Sequence, residues 1–164
     1  MADTPSGRLL ARVGPGLFQQ GIVVDDIDAA CSTLGSALGC GDWAHLPAAD
    51  LEYDLRGRTV TCAIELAFAR SGGIQVELLR PVRGEGLHAE FLAEHGPGFH
   101  HLGFLVADVA AVVAEAADLG FPAVMGGAFG TLRFRYLDTW AALGSFVEVV
   151  EDPDGLLATI KPWR

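Results

Sequence analysis

The chain has 164 residues, 51% of them hydrophobic and 20% charged, which suits one folded domain or two small modules that share a core. The formal net charge of −10 and the absence of any basic run exclude a nucleic-acid-binding surface. No apolar run reaches membrane-spanning length, and no segment has the order of a signal peptide. The three cysteines form no CxxC pair, so we expect reduced thiols in a cytoplasmic protein without a membrane or nucleic-acid partner.

The first half of the chain predicts a strand, a helix and three further strands. Residues 1–16 are small, polar and interrupted by glycine and proline, so we expect a loose N-terminal arm. After the first strand, Asp26 suits a helix N-cap, and apolar residues recur at helical spacing as far as Leu38. The elements of this first module, residues 17–80, are a strand over 17–24, a helix from Asp26 to Leu38, a short strand from Trp43 to Leu46, an acidic loop through Asp54, and strands over 59–68 and 74–80.

The second half repeats this order after a linker. Residues 81–98 form the linker, with a short helical piece around Leu87 to Glu94, and residues 152–164 form a C-terminal tail. The elements of the second module, residues 99–151, are a strand over 99–106, a helix from about Asp108 to Leu119, a short strand near 121–125, and strands over 131–138 and 144–151.

The two halves also match residue by residue. In the first strand of each half, Gly21 corresponds to Gly103 and Gln19 corresponds to His101. Each half then leads through an alanine-rich segment to a final strand that begins with glycine and carries one glutamate. Self-similarity of this kind indicates a duplicated supersecondary unit. We therefore predict an α+β fold of two repeated βαβββ modules whose curved sheets form a cleft.

Four polar residues occupy equivalent positions of the two modules, and a pseudo-two-fold axis would bring them together: Gln19, Glu77, His101 and Glu148. A glutamate in the middle of an apolar strand is costly to desolvate, and two such carboxylates repel each other. A divalent cation removes both penalties, and an imidazole, two carboxylates and an amide oxygen suit it as ligands. The sequence therefore predicts a metal site, for Zn, Mn, Co, Ni, Fe or Mg.

Each of these residues has a simpler interpretation when it is taken alone. A strand glutamate commonly lies on a solvated face, Gln19 would be an ordinary edge residue, and His101 would be a hydrogen-bonded structural histidine. Their joint occurrence at equivalent positions favours the metal site. The remaining histidines have no counterpart in the repeat, and we expect them on the surface or beside the site: His45, His88, His95 and His100.

With these residues in view, the chain resembles the vicinal oxygen chelate superfamily over residues 17–151, nearest to its glyoxalase I and methylmalonyl-CoA epimerase branch. The motifs that carry the resemblance are Gln19-Gln20-Gly21-Ile22-Val23-Val24-Asp25-Asp26, Gln75-Val76-Glu77-Leu78-Leu79-Arg80-Pro81, His100-His101-Leu102-Gly103-Phe104-Leu105-Val106 and Phe146-Val147-Glu148-Val149-Val150. The resemblance implies paired modules and one divalent metal, held by Gln19, Glu77, His101 and Glu148. A histidine is usual in that branch where Gln19 stands, and an amide oxygen is the weaker ligand.

The resemblance further implies a metal-dependent isomerase or lyase that transfers a proton next to a carbonyl group. The metal would chelate two neighbouring oxygens of a small-molecule substrate and stabilise the enediolate. The proton would go to Glu148, with Glu77 as the other candidate base. Tyr136 and Arg133 point to opposite faces of one strand, and we place Tyr136 in the cleft as the third candidate catalytic residue.

The walls of the cleft and the oligomeric state are less constrained by the sequence. Three aromatic residues either wall the substrate pocket or pack in the hydrophobic core: Trp43, Phe68 and Phe129. A CoA thioester would require basic residues at the cleft mouth, for which four arginines are available: Arg56, Arg58, Arg80 and Arg83. Modules of this fold also pair between chains, so we expect a homodimer.

A second class of function stays open at this point. Bleomycin-resistance-like proteins bind or sequester an aromatic ligand in the cleft and need no metal, although two facing glutamates argue against a metal-free cleft. Extradiol dioxygenase activity is disfavoured because that chemistry requires two histidines and a carboxylate. The chain offers one suitably placed histidine, His101.

Overall fold

The eight strands of the protein form one closed barrel. The computed structural model describes residues 3–160. The strands are β1 Leu17–Val23, β2 Ala44–Leu55, β3 Arg58–Ser71, β4 Ile74–Gly84, β5 Gly98–Leu105, β6 Ala123–Phe129, β7 Leu132–Leu137 and β8 Phe146–Glu151. Their order around the barrel is β1-β4-β3-β2-β6-β7-β8-β5.

The barrel consists of two similar halves joined at two seams. Within each half the first strand runs parallel to the last, β1 beside β4 and β5 beside β8, and the middle strands follow antiparallel. Antiparallel pairing of β1 with β5 forms the long seam, and a short pairing of β2 with β6 closes the other side. The predicted α+β fold of repeated βαβββ modules is confirmed. Because β1 and β5 are neighbours, residues from the first strands of both halves meet at the centre of one wall.

Helices cover the outside of the barrel. They are α1 Pro5–Val13, α2 Ile27–Leu38, α3 Leu87–His95, α4 Val109–Asp118 and α5 Trp140–Leu143. The crossover helices α2 and α4 begin in the same way, since Asp26 and Asp108 each accept a hydrogen bond at 2.9 Å from the backbone N–H three residues later. Both helices pack apolar side chains against the outer face of the sheet. None of the described helices is long and apolar enough to cross a membrane.

The expected loose arm over residues 1–16 is wrong for the part of it that the structure describes. Thr4 caps α1 by accepting a hydrogen bond from the backbone N–H of Gly7, and Pro5 occupies the first helical turn, where proline is tolerated. Leu9 and Val13, four residues apart, are 1% exposed and pack into the cluster around α4 and β8. The glycines and prolines therefore delimit a short helix and do not indicate disorder.

The expected acidic loop after Leu46 is also wrong, because β2 continues to Leu55. Residues 50–55 alternate acidic and apolar side chains, which is the pattern of a strand with one solvated face. Tyr53 and Leu55 point into the core, while the acidic residues between them are exposed. β2 pairs with β3 along most of its length, which makes the wall of the barrel taller than the sequence predicted.

Smaller differences concern the segments between and after the modules. β4 extends to Gly84, past the predicted module end at residue 80, whereas α3 occupies half of the predicted linker and agrees with the helical piece predicted around Leu87 to Glu94. The short α5 was not predicted. In the C-terminal tail, a 3-10 helix over Leu156–Thr159 packs Leu157 against the core inside the barrel. The three cysteines are free thiols.

Candidate metal centre

The four predicted ligands converge inside the barrel. The imidazole Nε2 of His101 lies 3.3 Å from Oε2 of Glu77, 3.4 Å from Oε2 of Glu148 and 3.3 Å from Oε1 of Gln19. All four side chains are at least nine-tenths buried. Each comes from a different strand, β1, β4, β5 or β8, and these four strands are adjacent in the barrel. The strand register therefore brings together residues that lie up to 129 positions apart in the chain.

Two glycines make room for this arrangement. Gly21 is paired with His101 across the β1–β5 seam, and a Cβ built at Gly21 would overlap the imidazole ring. Gly103 is paired with Gln19, and a Cβ there would come within 2.8 Å of Oε1 of that side chain. The glycine two residues after each ligand thus leaves space for the ligand of the opposite module, which explains why the repeat contains glycine at both positions.

The buried charges determine the protonation of the cluster. Burial alone would lower the pKa of His101, but Glu148 and Glu77 together raise it to about 9. Burial raises the pKa of Glu77, and the neighbouring His101 opposes that shift. Without a metal, a protonated His101 therefore lies between two carboxylates, and one negative charge is left uncompensated.

The orientation of the Gln19 amide is set by a residue that the sequence analysis did not assign to the site. Nε2 of Gln19 donates a hydrogen bond of 2.7 Å to Oε1 of Gln75, which is buried beside it on β4. This contact turns Oε1 of Gln19 toward His101. The amide therefore presents its oxygen to the cluster, as a metal ligand must.

The two glutamates differ in the residue that lies across from each of them. Phe68 on β3 is the cross-strand partner of Glu77, and Tyr136 on β7 is the partner of Glu148. Tyr136 lies directly across from Glu148, and burial together with both glutamates raises its pKa well above its usual value, so it remains a neutral hydroxyl group. Nε2 of His88 lies 3.2 Å from the Tyr136 hydroxyl. The strand beside Glu148 therefore supplies a hydroxyl group, whereas the strand beside Glu77 supplies an apolar ring.

Two of the remaining histidines are buried next to the cluster. Nδ1 of His100 lies 3.1 Å from Nδ1 of His101, so the His101 ring can donate at Nδ1 and keep Nε2 directed at the carboxylates. Burial lowers the pKa of His88 to about 3 and that of His100 well below its usual value, so both are neutral. His88 and His100 therefore lie beside the site, which is one of the two locations that the sequence allowed, whereas His45 and His95 are exposed.

A cavity of about 400 Å³ lies against the cluster. Gln19, Glu77, Glu148 and Tyr136 lie on its wall. Beyond them the wall is almost wholly apolar, and its aromatic members are Phe18, Tyr53, Phe68, Phe129 and Phe134. The cluster is therefore accessible to a small molecule from the cavity. The volume of the cavity is in the range of small-molecule sites.

Three of the residues that were candidates for the cleft wall lie there, and one does not. Phe68 and Phe129 line the cavity, and Tyr136 faces it while Arg133 is exposed and pairs with Glu151. Trp43 is not on the cavity wall; it packs against the cluster beneath α2. The core position therefore holds for Trp43, which lies before the first residue of β2, where strand alternation does not fix which side a residue faces.

The donor set fits a divalent cation. Ligand atoms of Glu77, His101 and Glu148 lie within 4.8 Å of one another, and the oxygen of Gln19 joins them. A dication beside neutral His101 would balance the two carboxylates, which the imidazolium alone does not. Nitrogen and oxygen donors without thiolate suit Zn, Mn, Co, Ni, Fe or Mg.

Comparisons with known proteins agree with this architecture. Residues 18–135 match the family model described as the glyoxalase/bleomycin resistance protein/dioxygenase superfamily. No curated protein matches the chain significantly. Among solved structures, methylmalonyl-CoA epimerase from Mycobacterium tuberculosis is 24% identical, with a TM-score of 0.60 over 87% of this chain and 91% of that one.

Two further solved structures are similar over most of their length. A hypothetical protein from Bacillus halodurans is 23% identical, with a TM-score of 0.61 over 83% of this chain and 93% of that one. A variant of Streptomyces coelicolor methylmalonyl-CoA epimerase, in complex with 2-nitronate-propionyl-CoA, is 25% identical, with a TM-score of 0.54 over 84% of this chain and 94% of that one. The family model covers more than half of the chain, and the chain therefore belongs to the glyoxalase/bleomycin resistance/dioxygenase superfamily, the vicinal oxygen chelate proteins.

Proposed function

We propose that the protein is a metal-dependent isomerase or lyase that moves a proton next to a carbonyl group. The observation that carries the proposal is the convergence of His101, Glu77 and Glu148, with the oxygen of Gln19, at one end of a cavity that admits a small molecule. These four residues would hold a divalent cation. When bound, the cation supplies Lewis acidity, which polarises the substrate carbonyl.

Glu148 is the base that the geometry favours. Its carboxylate lies on the cavity wall, where it can accept the proton from the carbon next to the carbonyl. As the C–H bond breaks, the proton forms an O–H bond with Glu148 and the electron pair moves toward the carbonyl oxygen. Return of the same proton to the neighbouring carbon, or to the other face of the same carbon, completes an isomerisation or an epimerisation.

The residues around Glu148 support this role. Tyr136 lies directly across from Glu148, and His88 in turn contacts the Tyr136 hydroxyl. Glu77 has no such partner among the described residues and faces Phe68 instead. The apolar wall excludes water from the reacting carbon, which protects an intermediate that water would otherwise reprotonate.

The test is α-proton exchange in deuterated water, followed by proton NMR. Protein loaded in turn with Zn, Mn, Co and Ni is incubated with 2-oxo compounds, 2-hydroxyketones and acyl-CoA thioesters. We expect exchange with at least one pair of metal and substrate, and a loss of about 100-fold or more in Glu148→Gln. The matched control is Glu65→Gln, which removes a carboxylate of β3 that pairs with Arg80 away from the cavity.

Exchange in the wild type that is equally fast in Glu148→Gln would contradict the assignment of the base. A complete lack of exchange with every metal would contradict the enzymatic proposal. The largely apolar cavity would then favour the second candidate function, a protein that binds or sequesters a small hydrophobic molecule.

A further inference from the structure

The polar and the apolar side chains that line the cavity lie in two separate parts of its wall. Its polar side chains are gathered at the inner end, around Gln19, Glu77, Glu148, His88 and Tyr136. The apolar part of the wall consists of Phe18, Leu46, Pro47, Ala49, Leu51, Ile64, Leu66, Phe68, Leu79, Phe129, Leu132, Phe134, Val150, Leu156, Leu157 and Ile160. A ligand that fills this space therefore has one oxygen-bearing end and one apolar body.

No lysine or arginine lines the cavity among the described residues. The acidic side chains on the described part of its wall are Glu77 and Glu148, and neither offers a positive charge to an anion. A carboxylate or phosphate on the body of the ligand would be desolvated against leucine and phenylalanine without a counter-ion. That burial is unfavourable, which disfavours anionic ligands.

The four arginines that the sequence offered for a CoA thioester are occupied elsewhere. Each forms an ion pair of 2.7 to 3.0 Å with an acidic residue, and the partners are Glu90 for Arg56, Glu85 for Arg58, Glu65 for Arg80 and Asp50 for Arg83. None of the four is on the cavity wall. The exposed residues on the cavity wall include three leucines, at positions 46, 51 and 156, so an anionic carrier group would meet an apolar surface there.

The shape of the apolar part points to a ring. Phe129 and Phe134 are stacked with centroids 5.8 Å apart, and Tyr53 meets both of them edge-on. Phe18 and Phe68 add two further aromatic rings to the cavity wall, and Phe68 is the cross-strand partner of Glu77. Aromatic rings prefer offset-stacked and edge-to-face contacts with one another, which gives an aromatic ligand specific positions in this space.

We propose that the substrate is an uncharged aromatic carbonyl compound with neighbouring oxygens, such as an aryl hydroxyketone, and not a CoA thioester or another anionic conjugate. This proposal rests on the proposed function for the placement of the carbonyl group at the cluster. The substrate class itself follows from the apolar wall of the cavity. Ligand binding to that wall can be measured separately from catalysis.

The first experiment measures binding by calorimetry with chelator-treated protein, so that it does not depend on catalysis. The probes are 2-hydroxyacetophenone and its analogue with a carboxylate at the para position of the ring. We expect the neutral ketone to bind at least about tenfold more tightly than the carboxylated analogue. Equal or tighter binding of the carboxylated analogue, or of methylmalonyl-CoA, would overturn the proposal.

A positive charge introduced into the cavity wall should remove the preference for the neutral ketone over the carboxylated analogue. Leu66 lies half-buried on the cavity wall, and in Leu66→Arg we expect the carboxylated analogue to bind at least as tightly as the neutral ketone. The matched control is Leu105→Arg, at an exposed leucine of β5 that does not line the cavity, and it should keep the wild-type ratio. An unchanged ratio in Leu66→Arg, with the fold verified by circular dichroism, would overturn the proposal.

The second experiment adds metal and follows α-proton exchange of the same ketone. Binding with exchange supports both the substrate class and the enzymatic function. Binding without exchange of any compound supports the ligand class and contradicts the enzymatic function. Exchange of a CoA thioester without binding of the ketone supports the enzymatic function and overturns the substrate class.

Discussion

Gly21 lies directly across the β1–β5 seam from His101, and the imidazole ring occupies the space that a side chain at Gly21 would fill. The same relationship recurs between Gly103 and Gln19. The two modules therefore form one site together, because the glycine on the first strand of each module leaves room for the ligand side chain of the other module. A change at either glycine is a change to the ligand geometry.

Gly21→Ala should therefore impair metal binding without removing any ligand. The added methyl group overlaps the His101 ring, which must move, and overpacking of this kind costs about 1 to 3 kcal/mol of unfolding free energy. We expect weaker metal binding by equilibrium dialysis and a lower midpoint of urea unfolding. Gly73→Ala is the control, because its Cβ would meet nothing within 4 Å. Equal metal affinity in the two variants would contradict this account of the repeat glycines.

The same repeat made the centre of the site predictable from the sequence. Equivalent positions and strand alternation sufficed to bring Gln19, Glu77, His101 and Glu148 together, because a residue's place along a strand determines the side on which it lies. The surroundings of the site depend on which strands are neighbours and on their register. Strand alternation places Gln75 on the same face of β4 as Glu77. Its contact with Gln19, however, follows from the parallel register of β1 and β4, which the sequence does not reveal.

The errors in secondary structure have local causes. The segment from residue 50 to residue 55 alternates acidic and apolar residues, and this strand signal was outweighed by the density of acidic side chains. In α1 the apolar residues Leu9 and Val13 show helical spacing, but nearby glycines and prolines suggested an irregular arm. The helix is stabilised by packing against residues more than 90 positions away, which no local pattern reveals.

Gln75 should act as a positioning residue for Gln19. In Gln75→Leu the amide of Gln19 loses its hydrogen-bond acceptor and is free to rotate, so we expect metal affinity to fall by about 10- to 100-fold. Gln75→Glu retains an acceptor and should restore most of the affinity, which a purely steric role would not explain. Gln20→Leu, on the other face of β1, is the control. Wild-type affinity in Gln75→Leu would contradict this role.

Tyr136 should affect proton transfer more than metal binding. Tyr136→Phe gives the second module the same aromatic residue that Phe68 supplies in the first, and it removes the hydroxyl group beside Glu148. We expect the exchange rate to fall by about 10- to 100-fold and its pH profile to shift, with metal content unchanged. Tyr53→Phe is the control, since Tyr53 lines the same cavity among Phe129 and Phe134. Loss of metal in Tyr136→Phe would instead assign the residue to the integrity of the site.

The stability of the metal-free protein should decrease as the pH rises. The pKa of His101 is raised from 6.5 to about 9 in the folded protein, so its contribution is fully present below pH 6.5 and is lost as the pH rises through about 9. The raised pKa of Glu77 acts in the same direction at lower pH. Urea unfolding of chelator-treated protein at several pH values measures this slope, and His101→Gln should flatten it between pH 6.5 and 9. Stability that increases over this interval would contradict the charge assignment.

The central claim is that Gln19, Glu77, His101 and Glu148 form one metal site, and metal stoichiometry tests it most directly. Chelator-treated protein is dialysed against Zn, Mn, Co and Ni in turn, with His101→Ala and Glu148→Gln beside Glu65→Gln as control. We predict one ion per chain for at least one metal, retained in Glu65→Gln and lost in the other two variants. Wild-type protein that binds none of the four metals, or binding that survives both His101→Ala and Glu148→Gln, would contradict the claim.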